Sequence, residues 1–385
     1  MEIPDTVDDV FEFMVNSFTE NKNKNEMINI MKDFCKKKKN EKPQIYELKK
    51  KLEIDFSEKV NCQYCYLSET PIDYGCDLRE IFYDRENNSS ENGKKLLKLF
   101  GLFSRRMDKK WHIMTDIDDT LYANTEHGTY IAGSDKSWEQ KKPYPGIEQF
   151  YKLFHSNSTK CSDYTTILSA TPGCLKRSKL KDSKKLLHKI LGEHGYGFIQ
   201  GVESKGQILS HTGDIINNCV GHLCGRSKPT YSENISELFQ LFGNTKFERF
   251  QQYSTIFPEN KLIFIGDNGQ GDVLAGIKMI DKNPTCHVFI RRVCEDGQNF
   301  KIVPEEDYEI ERLHFFNNYY DLAKEFQTLG IFNEDNVEDI KNSIIDKVSK
   351  SKFRDLYSSV FNESKGGKRK TRKTRKIRKT RKNKK

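Results

Sequence analysis

Short apolar runs mark the middle of the chain, and each is followed by a polar or glycine-containing turn. Four of them lie in WHIMTDIDD (111–119), YTTILSATPG (164–173), KLIFIGDNGQGD (261–272) and CHVFIRRV (286–293). Runs of four to six apolar or β-branched residues that are bounded by turn signals are typical of buried parallel strands. The four runs therefore predict four strands of one sheet.

Helical patterns separate these runs. Apolar residues recur at three- and four-residue spacing in segments 147–155, 184–195, 246–257 and 272–280. Strands that alternate with helices predict a doubly wound α/β fold, in which ligands bind at the carboxyl ends of the strands. The alternation defines a domain over residues 108–330. A polar stretch at about 201–240 reads as an insertion, and the pattern after about residue 295 predicts helix again.

The flanking regions differ from this domain. Residues 1–107 contain amphipathic segments separated by stretches rich in Asn and Lys, which predicts a helical N-terminal extension. Residues 331–365 predict a C-terminal helical segment. No run approaches the roughly 18 apolar residues that a membrane span needs.

Residues 366–385 form a polybasic tail that begins with two glycines. Its last eighteen residues, KRKTRKTRKIRKTRKNKK, hold thirteen Lys or Arg and no acidic residue. The whole chain has a net charge of +9, so residues 1–367 carry −4. A block of like charge repels itself, which predicts disorder and a polyanionic partner. That partner would be nucleic acid, an anionic membrane or an acidic protein; alternatively the tail serves localisation or solubility alone.

The N-terminal residues lack the basic and apolar stretches of a secretory signal. Ten Cys in 385 residues are too few for a disulfide framework. We therefore expect an intracellular protein that is cytoplasmic or peripheral at membranes; the tail is also compatible with a nuclear or virion-associated one. Cys62, Cys65 and Cys76 hint at zinc but lack an evident fourth ligand, so ordinary thiols are the alternative.

Acidic residues follow the first predicted strand. Asp116 and Asp118 would point to the same side of an extended segment and could enter one crevice. Two carboxylates so close repel each other unless a divalent cation lies between them or one is protonated. A hard cation held by few carboxylates and several waters is typical of Mg²⁺. The alternative is an Asp-rich turn or helix cap without a ligand.

Further polar residues follow the other predicted elements. Ser169 ends the second strand and could hold a phosphate oxygen or cap a helix. Lys246 stands where the helix 246–257 is predicted to begin, and it could supply a positive charge to a phosphate. Asp267 directly follows the third strand among glycines that allow the backbone to approach a ligand, and Asp272 lies five residues further on.

The order of these residues resembles the four motifs of the haloacid dehalogenase superfamily. Asp116-Ile117-Asp118-Asp119-Thr120, the strand-end Ser169, Lys246 and the Gly266–Asp272 segment follow one another as in that family. Residues 110–295 resemble more narrowly the catalytic domain of the actin-patch-associated phosphatidate phosphatases, above all in Gly-Asp-Asn-Gly-Gln-Gly-Asp. Two departures from that group lie where substrate would be read: Ser169-Ala170-Thr171-Pro172 and the longer stretch 201–240.

The resemblance implies a Mg²⁺-dependent phosphoric monoester hydrolase of lipid metabolism. Asp116 would be the nucleophile and Asp118 the general acid and base. The substrate phosphate would be bound by Thr120, Ser169 and Lys246. The metal site would be formed by Asp116, Asp118, Asp267 and Asp272. Phosphatidate or a related lipid phosphate at an anionic membrane is the first expected substrate.

Other readings remain open at the level of sequence. The same catalytic residues would serve a phosphatase for nucleic-acid ends, phosphoproteins or small phosphate esters. A catalytically idle protein that binds nucleic acid through its tail is a third reading, and it predicts a damaged motif. Within the insertion, His211, His222 and Cys224 are either a metal site or ordinary loop residues. Arg291 and Arg292, after the last strand, would meet an anionic head group or lie at a sheet edge.

Overall fold

A computed structural model describes residues 4–19, 24–55, 78–83, 89–105, 107–124, 133–169, 185–192, 196–200, 233–294 and 310–362. Several sequence predictions lie outside these residues. They are the turn at Thr171 and Pro172, the clusters Cys62, Cys65 and Cys76 and His211, His222 and Cys224, most of the insertion, and the tail 366–385.

The centre of the fold is a six-stranded sheet in the order β3-β2-β1-β4-β5-β6, in which every neighbouring pair is parallel. The strands are β1 Lys110–Thr115, β2 Thr165–Ser169, β3 Tyr196–Gln200, β4 Asn260–Asp267, β5 His287–Arg291 and β6 Leu313–Phe316. The chain moves outward from β1 to β3 and then returns to place β4 on the other side of β1. Such a switch point leaves a crevice at the carboxyl ends of the two strands.

The sheet confirms the predicted α/β class and the four predicted strands, but it contains two strands that the sequence did not predict. One is β3. The other is β6, so the prediction of helix throughout the region after residue 295 is wrong for Leu313–Phe316. The apolar run there is only four residues long, and the helix begins after it, where the Asn318 side chain accepts hydrogen bonds from the backbone of Tyr320 and Asp321.

Helices cover both faces of the sheet. Their bounds are α1 Val7–Thr19, α2 Lys24–Lys37, α3 Lys42–Ile54, α4 Arg79–Phe82, α5 Glu91–Ser104, α6 Ile147–Ser156, α7 Glu233–Ile256, α8 Asp272–Lys282, α9 Tyr319–Thr328, α10 Glu334–Val348 and α11 Ser358–Asn362, with a 3₁₀ turn at Arg354–Tyr357. No helix in the described part of the chain is both long and apolar enough to span a membrane.

Alternate side chains of the strands enter two separate cores. In β4, Phe264 joins a core with α1–α5, α7 and α8, whereas Ile263 and Ile265 join a second core with α6, α9 and α10. Each such fully buried side chain stabilises the fold by about 1.5–3 kcal/mol. The N-terminal helices therefore cover one face of the sheet, and the C-terminal helices cover the other.

A buried polar network ties α3 to the sheet beneath it. Lys49 Nζ lies 2.5 Å from Glu259 Oε1, and both side chains are 3% exposed. On the next turn, Glu53 accepts hydrogen bonds from Tyr164 Oη and from the hydroxyl of Thr166. Because buried charges are tolerated only when they are paired, these contacts fix where α3 sits on the sheet.

Helix α7 corrects the sequence prediction of a helix that begins at Lys246. It begins at Glu233, so Lys246 lies inside it, and residues 233–240 belong to this helix rather than to the insertion. The Gly243-Asn244-Thr245 sequence is unfavourable inside a helix, but Gly243 allows α7 to pass close to the backbone that precedes α8. A Cβ on Gly243 would lie 2.6 Å from the carbonyl oxygen of Gly271, just before α8. The crossing brings α7 against the start of α8.

Candidate active site

The loop that follows β1 is held by its backbone at the switch point. The Asp116 amide donates to the carbonyl of Ile265 in β4 at 2.9 Å, and the Leu121 amide donates to the carbonyl of Ile117 at 2.8 Å. From α9, in the second core, the Tyr319 hydroxyl donates to the carbonyl of Thr120 at 2.9 Å. The Asp116 side chain is thereby fixed at the carboxyl end of β1, where it is 6% exposed.

The turn after β4 places two more carboxylates beside Asp116. Asp267 is the last residue of β4, and Asp272 begins α8. The Gly269 amide donates to Asp267 Oδ1 at 2.6 Å, and the Asp267 amide donates to Asp272 Oδ2 at 3.4 Å. Gly266 is required for this turn, because a Cβ there would lie 2.3 Å from Asp272 Oδ2.

Lys246 reaches this group from α7 and contacts two of its carboxylates. Its Nζ lies 2.9 Å from Asp116 Oδ1 and 2.5 Å from Asp272 Oδ1. Burial would lower the pKa of Lys246, but the Asp116 and Asp272 carboxylates outweigh this effect and the pKa is raised. Lys246 is therefore charged at neutral pH.

The net negative charge of the site favours binding of a divalent cation. Asp116, Asp267 and Asp272 offer oxygens that all lie within 4.8 Å of one another. Among the described residues, Lys246 is the cation that contacts them, so the ionised group of three carboxylates and one ammonium carries a net charge of −2. Burial, followed by the neighbouring carboxylates, raises the pKa of Asp267 well above its usual range, and burial raises the pKa of Asp272 to about 6.

The oxygens of the three carboxylates differ in how far they are already engaged. In the described part of the chain, Asp267 Oδ2 is buried and has no hydrogen-bond partner. Both oxygens of Asp272 accept hydrogen bonds, from Lys246 and from the Asp267 amide. The set thus fits a hard cation, with Asp116 and Asp267 as its carboxylate ligands and Asp272 as the partner of Lys246.

The remaining predicted residues lie close in the chain or the sheet but make different contacts. The Asp118 carboxylate is outside the three-carboxylate group, and its Oδ1 accepts from Asn124 Nδ2 at 2.8 Å. Thr120 is fully buried, and its hydroxyl has no hydrogen-bond partner in the described residues. Ser169 ends β2 beside β1, two residues beyond the pair Thr115–Ile167, and is 2% exposed.

A second buried cluster lies directly behind the loop. Asp119 has a φ of +53° and accepts hydrogen bonds from the backbone amides of Asn124, Ser134 and Asp135. The Arg291 guanidinium donates to the Asp119 carbonyl at 3.2 Å and lies 3.4 Å from Asp135 Oδ2. These contacts hold the backbone of the loop that follows β1 in place.

Arg291 corrects the sequence interpretation, which placed it at a head group or at a sheet edge. It is 1% exposed and stacks on the Tyr144 ring, with its guanidinium carbon 3.7 Å from the ring centroid. No role for Asp119, Asn124 or Asp135 follows from the sequence. The only local signal was the extra acidic residue in Asp116–Asp119, because Arg291, which contacts both Asp119 and Asp135, lies far from them in the chain.

Comparisons with family models, with curated proteins and with solved structures found no match to this chain.

The charge balance predicts how stability depends on pH when metal is removed. Asp267 and Asp272 bind protons more tightly in the folded than in the unfolded chain, since their pKa values are raised. In EDTA, the contribution of these two carboxyl groups to the free energy of unfolding should therefore fall as the pH rises from about 4 to 8. Denaturant titrations of wild type and Asp267→Asn across this range should show it as a difference in free energy of unfolding between the two proteins that falls with rising pH.

Added Mg²⁺ supplies the control for this prediction. It should stabilise the wild type most at the alkaline end of the range, where the carboxylates are ionised, and should have little effect on Asp267→Asn. Equal slopes in EDTA for the two proteins, or equal stabilisation of both by Mg²⁺, would contradict the assignment of Asp267 as a ligand.

Proposed function

We propose that this chain is a Mg²⁺-dependent phosphomonoester hydrolase that acts through a phosphorylated Asp116. The observation that carries the proposal is the single buried site formed by Asp116, Asp267, Asp272 and Lys246 at the switch point of the sheet. These residues come from four separate parts of the fold, the end of β1, α7, β4 and α8, and the haloacid dehalogenase motifs that the sequence resembles contain the same four residues.

In the first step, an Asp116 carboxylate oxygen attacks phosphorus. A bond forms between this oxygen and phosphorus as the ester bond to the leaving oxygen breaks, and Asp118 donates a proton to that oxygen. The hydrogen bond from the Asp116 amide to the Ile265 carbonyl holds the nucleophile in place during the attack. The products of this step are the free alcohol and an acyl phosphate on Asp116.

In the second step, Asp118 takes a proton from water as the water oxygen attacks phosphorus. The bond between phosphorus and the Asp116 oxygen then breaks, which releases inorganic phosphate and restores both carboxyl groups. Asp118 thus carries the proton gained from water into the next cycle. The acidic residue two positions after the nucleophile therefore serves both steps.

Mg²⁺, held by Asp116 and Asp267, would act as a Lewis acid that neutralises charge on the phosphoryl oxygens. Lys246 would bind another phosphoryl oxygen, since its ammonium already touches Asp116 Oδ1 and must lie beside phosphorus during attack. Asp272 would orient this ammonium through their 2.5 Å contact. Ser169, at the neighbouring strand end, would donate its hydroxyl to the phosphate.

Phosphatidate is the substrate that we propose first, on the strength of the resemblance to phosphatidate phosphatases. Phosphate release should be measured with Mg²⁺ and with EDTA. The panel should contain phosphatidate vesicles, oligonucleotides phosphorylated at the 3′ or 5′ end, and an activated aryl phosphate. We expect Mg²⁺-dependent release that is fastest from phosphatidate.

Each other result discards a defined part of the proposal. Release from oligonucleotides or the aryl phosphate alone would keep the chemistry and discard the lipid substrate. Release that persists in EDTA would discard the metal. No release from any substrate would contradict hydrolysis and favour a binding protein that retains the fold.

A further inference from the structure

Asn124 connects Asp118, the acid and base of the proposed mechanism, to the buried cluster behind the loop. Asn124 is 4% exposed, and its Nδ2 donates to Asp118 Oδ1 at 2.8 Å. Its backbone amide donates to Asp119 Oδ1 at 2.9 Å. One residue thus contacts both acidic neighbours, with its side chain on the first and its backbone on the second.

The backbone of Asn124 is itself held firmly. Asp119 also accepts from the amides of Ser134 and Asp135, at 2.5 and 3.0 Å, so a single carboxylate joins the backbone on either side of residues 125–132. Gly133 has a φ of +132°, and a Cβ there would lie 2.4 Å from the Asn124 carbonyl oxygen. The amide group of Asn124 is therefore presented to Asp118 from a fixed backbone.

We propose that Asn124 is a positioning residue that selects which oxygen of Asp118 carries the catalytic proton. The proposal rests on the proposed hydrolase activity. A protonated carboxyl group has one oxygen that accepts hydrogen bonds and one hydroxyl that donates. The Asn124 N–H group makes Oδ1 the accepting oxygen, so the proton resides on Oδ2.

The consequence is a defined direction for proton transfer. When Asp118 Oδ2 gives its proton to the leaving oxygen, both Asp118 oxygens become acceptors, and Oδ1 keeps its bond from Asn124. Without the amide, the preference for the proton on Oδ2 weakens, and the proton can also reside on Oδ1. Only a fraction of the molecules would then present the proton to the leaving group, which slows the steps that need it.

The dependence on the leaving group separates this role from a merely structural one. An alkyl phosphate releases a basic alkoxide and needs the proton, whereas an activated aryl phosphate releases a stable phenolate and does not. The ratio kcat/KM covers events up to the first irreversible step, so it reports bond breaking and excludes the later attack of water. Both substrates should be assayed with the full-length chain and Mg²⁺.

We expect Asn124→Ala to lower kcat/KM for the alkyl phosphate by about 10- to 100-fold, which is typical for loss of an orienting partner. For the aryl phosphate the loss should stay within about threefold. Asn124→Ser, which removes fewer atoms and so disturbs folding less, should show the same selectivity. Thermal unfolding of each variant would verify that it is folded.

Asn157→Ala is the matched control, because Asn157 Nδ2 donates to the Ile331 carbonyl at 2.9 Å away from the site. It should leave kcat/KM for both substrates unchanged. Equal losses for both substrates in the Asn124 variants, or no loss, would overturn the positioning role while the hydrolase activity stands. A wild type that hydrolyses neither substrate would instead overturn the proposed function, and this role with it.

Discussion

Asp116→Asn is expected to lower phosphate release by at least about 10⁴-fold while the protein keeps its fold, because the amide cannot attack phosphorus. The substitution conserves shape. The backbone bond from Asp116 to Ile265 is untouched, and Lys246 keeps Asp272 as a buried partner at 2.5 Å. Steady-state release from the best substrate of the panel, together with thermal unfolding, would measure both parts.

The control for this variant is Asp163→Asn, which removes a half-exposed carboxylate paired with Lys50 at 2.6 Å. It changes the net charge equally and should keep wild-type turnover. If Asp116→Asn retained more than about one tenth of the wild-type rate, another group would have to be the nucleophile.

Lys246→Met is expected to lower kcat/KM by about 100- to 1,000-fold, the effect of removing one group that stabilises transition-state charge. It also leaves Asp116 and Asp272 buried without the cation that contacts both. Breaking a buried ion pair costs about 3–5 kcal/mol of folding free energy. The variant should therefore lose both activity and stability, and Mg²⁺ should restore part of the stability.

Lys49→Met separates these two losses. Lys49 forms a similarly buried 2.5 Å pair with Glu259, which lies just before β4 and so at the end of that strand opposite Asp267. Its loss should lower the free energy of unfolding by a similar amount, yet kcat/KM per folded molecule should stay near the wild-type value. Comparable activity losses in the two variants would show that Lys246 acts only through stability.

The strands nearest the switch point could be predicted from the sequence because each combines an apolar run with a sharp polar turn. Asp116 directly follows β1 and Asp267 is the last residue of β4, so the same two residues mark the strand ends and the predicted site. The two outer strands were missed. β6 has four residues and is followed directly by a helix, so local pattern does not separate the two.

Helix α7 shows how tertiary contacts override local signals. Gly243 would break an isolated helix, but here its missing side chain lets α7 cross the backbone at Gly271. This crossing sets the position of Lys246, and nothing in the neighbouring residues predicts it. The sequence therefore indicated the residue but placed it wrongly at a helix start.

The contacts behind the loop that follows β1 also depend on tertiary structure, so they could not be predicted from the sequence. Arg291 and Asp135 are separated by more than a hundred residues, and they meet only because β5 lies next to β4 in the sheet. Asn124 and Asp119 are close in the chain. Their bond nevertheless depends on the positive φ of Asp119, which no composition rule requires.

The most direct test is to trap the phosphorylated enzyme. Substrate labelled at phosphorus should be mixed with the full-length protein and Mg²⁺ and quenched in acid during turnover. We expect an acid-stable label that neutral hydroxylamine removes, as for an acyl phosphate, on the peptide that contains Asp116 and absent from Asp116→Asn. Turnover without labelled protein, or a label on another residue, would contradict nucleophilic attack by Asp116.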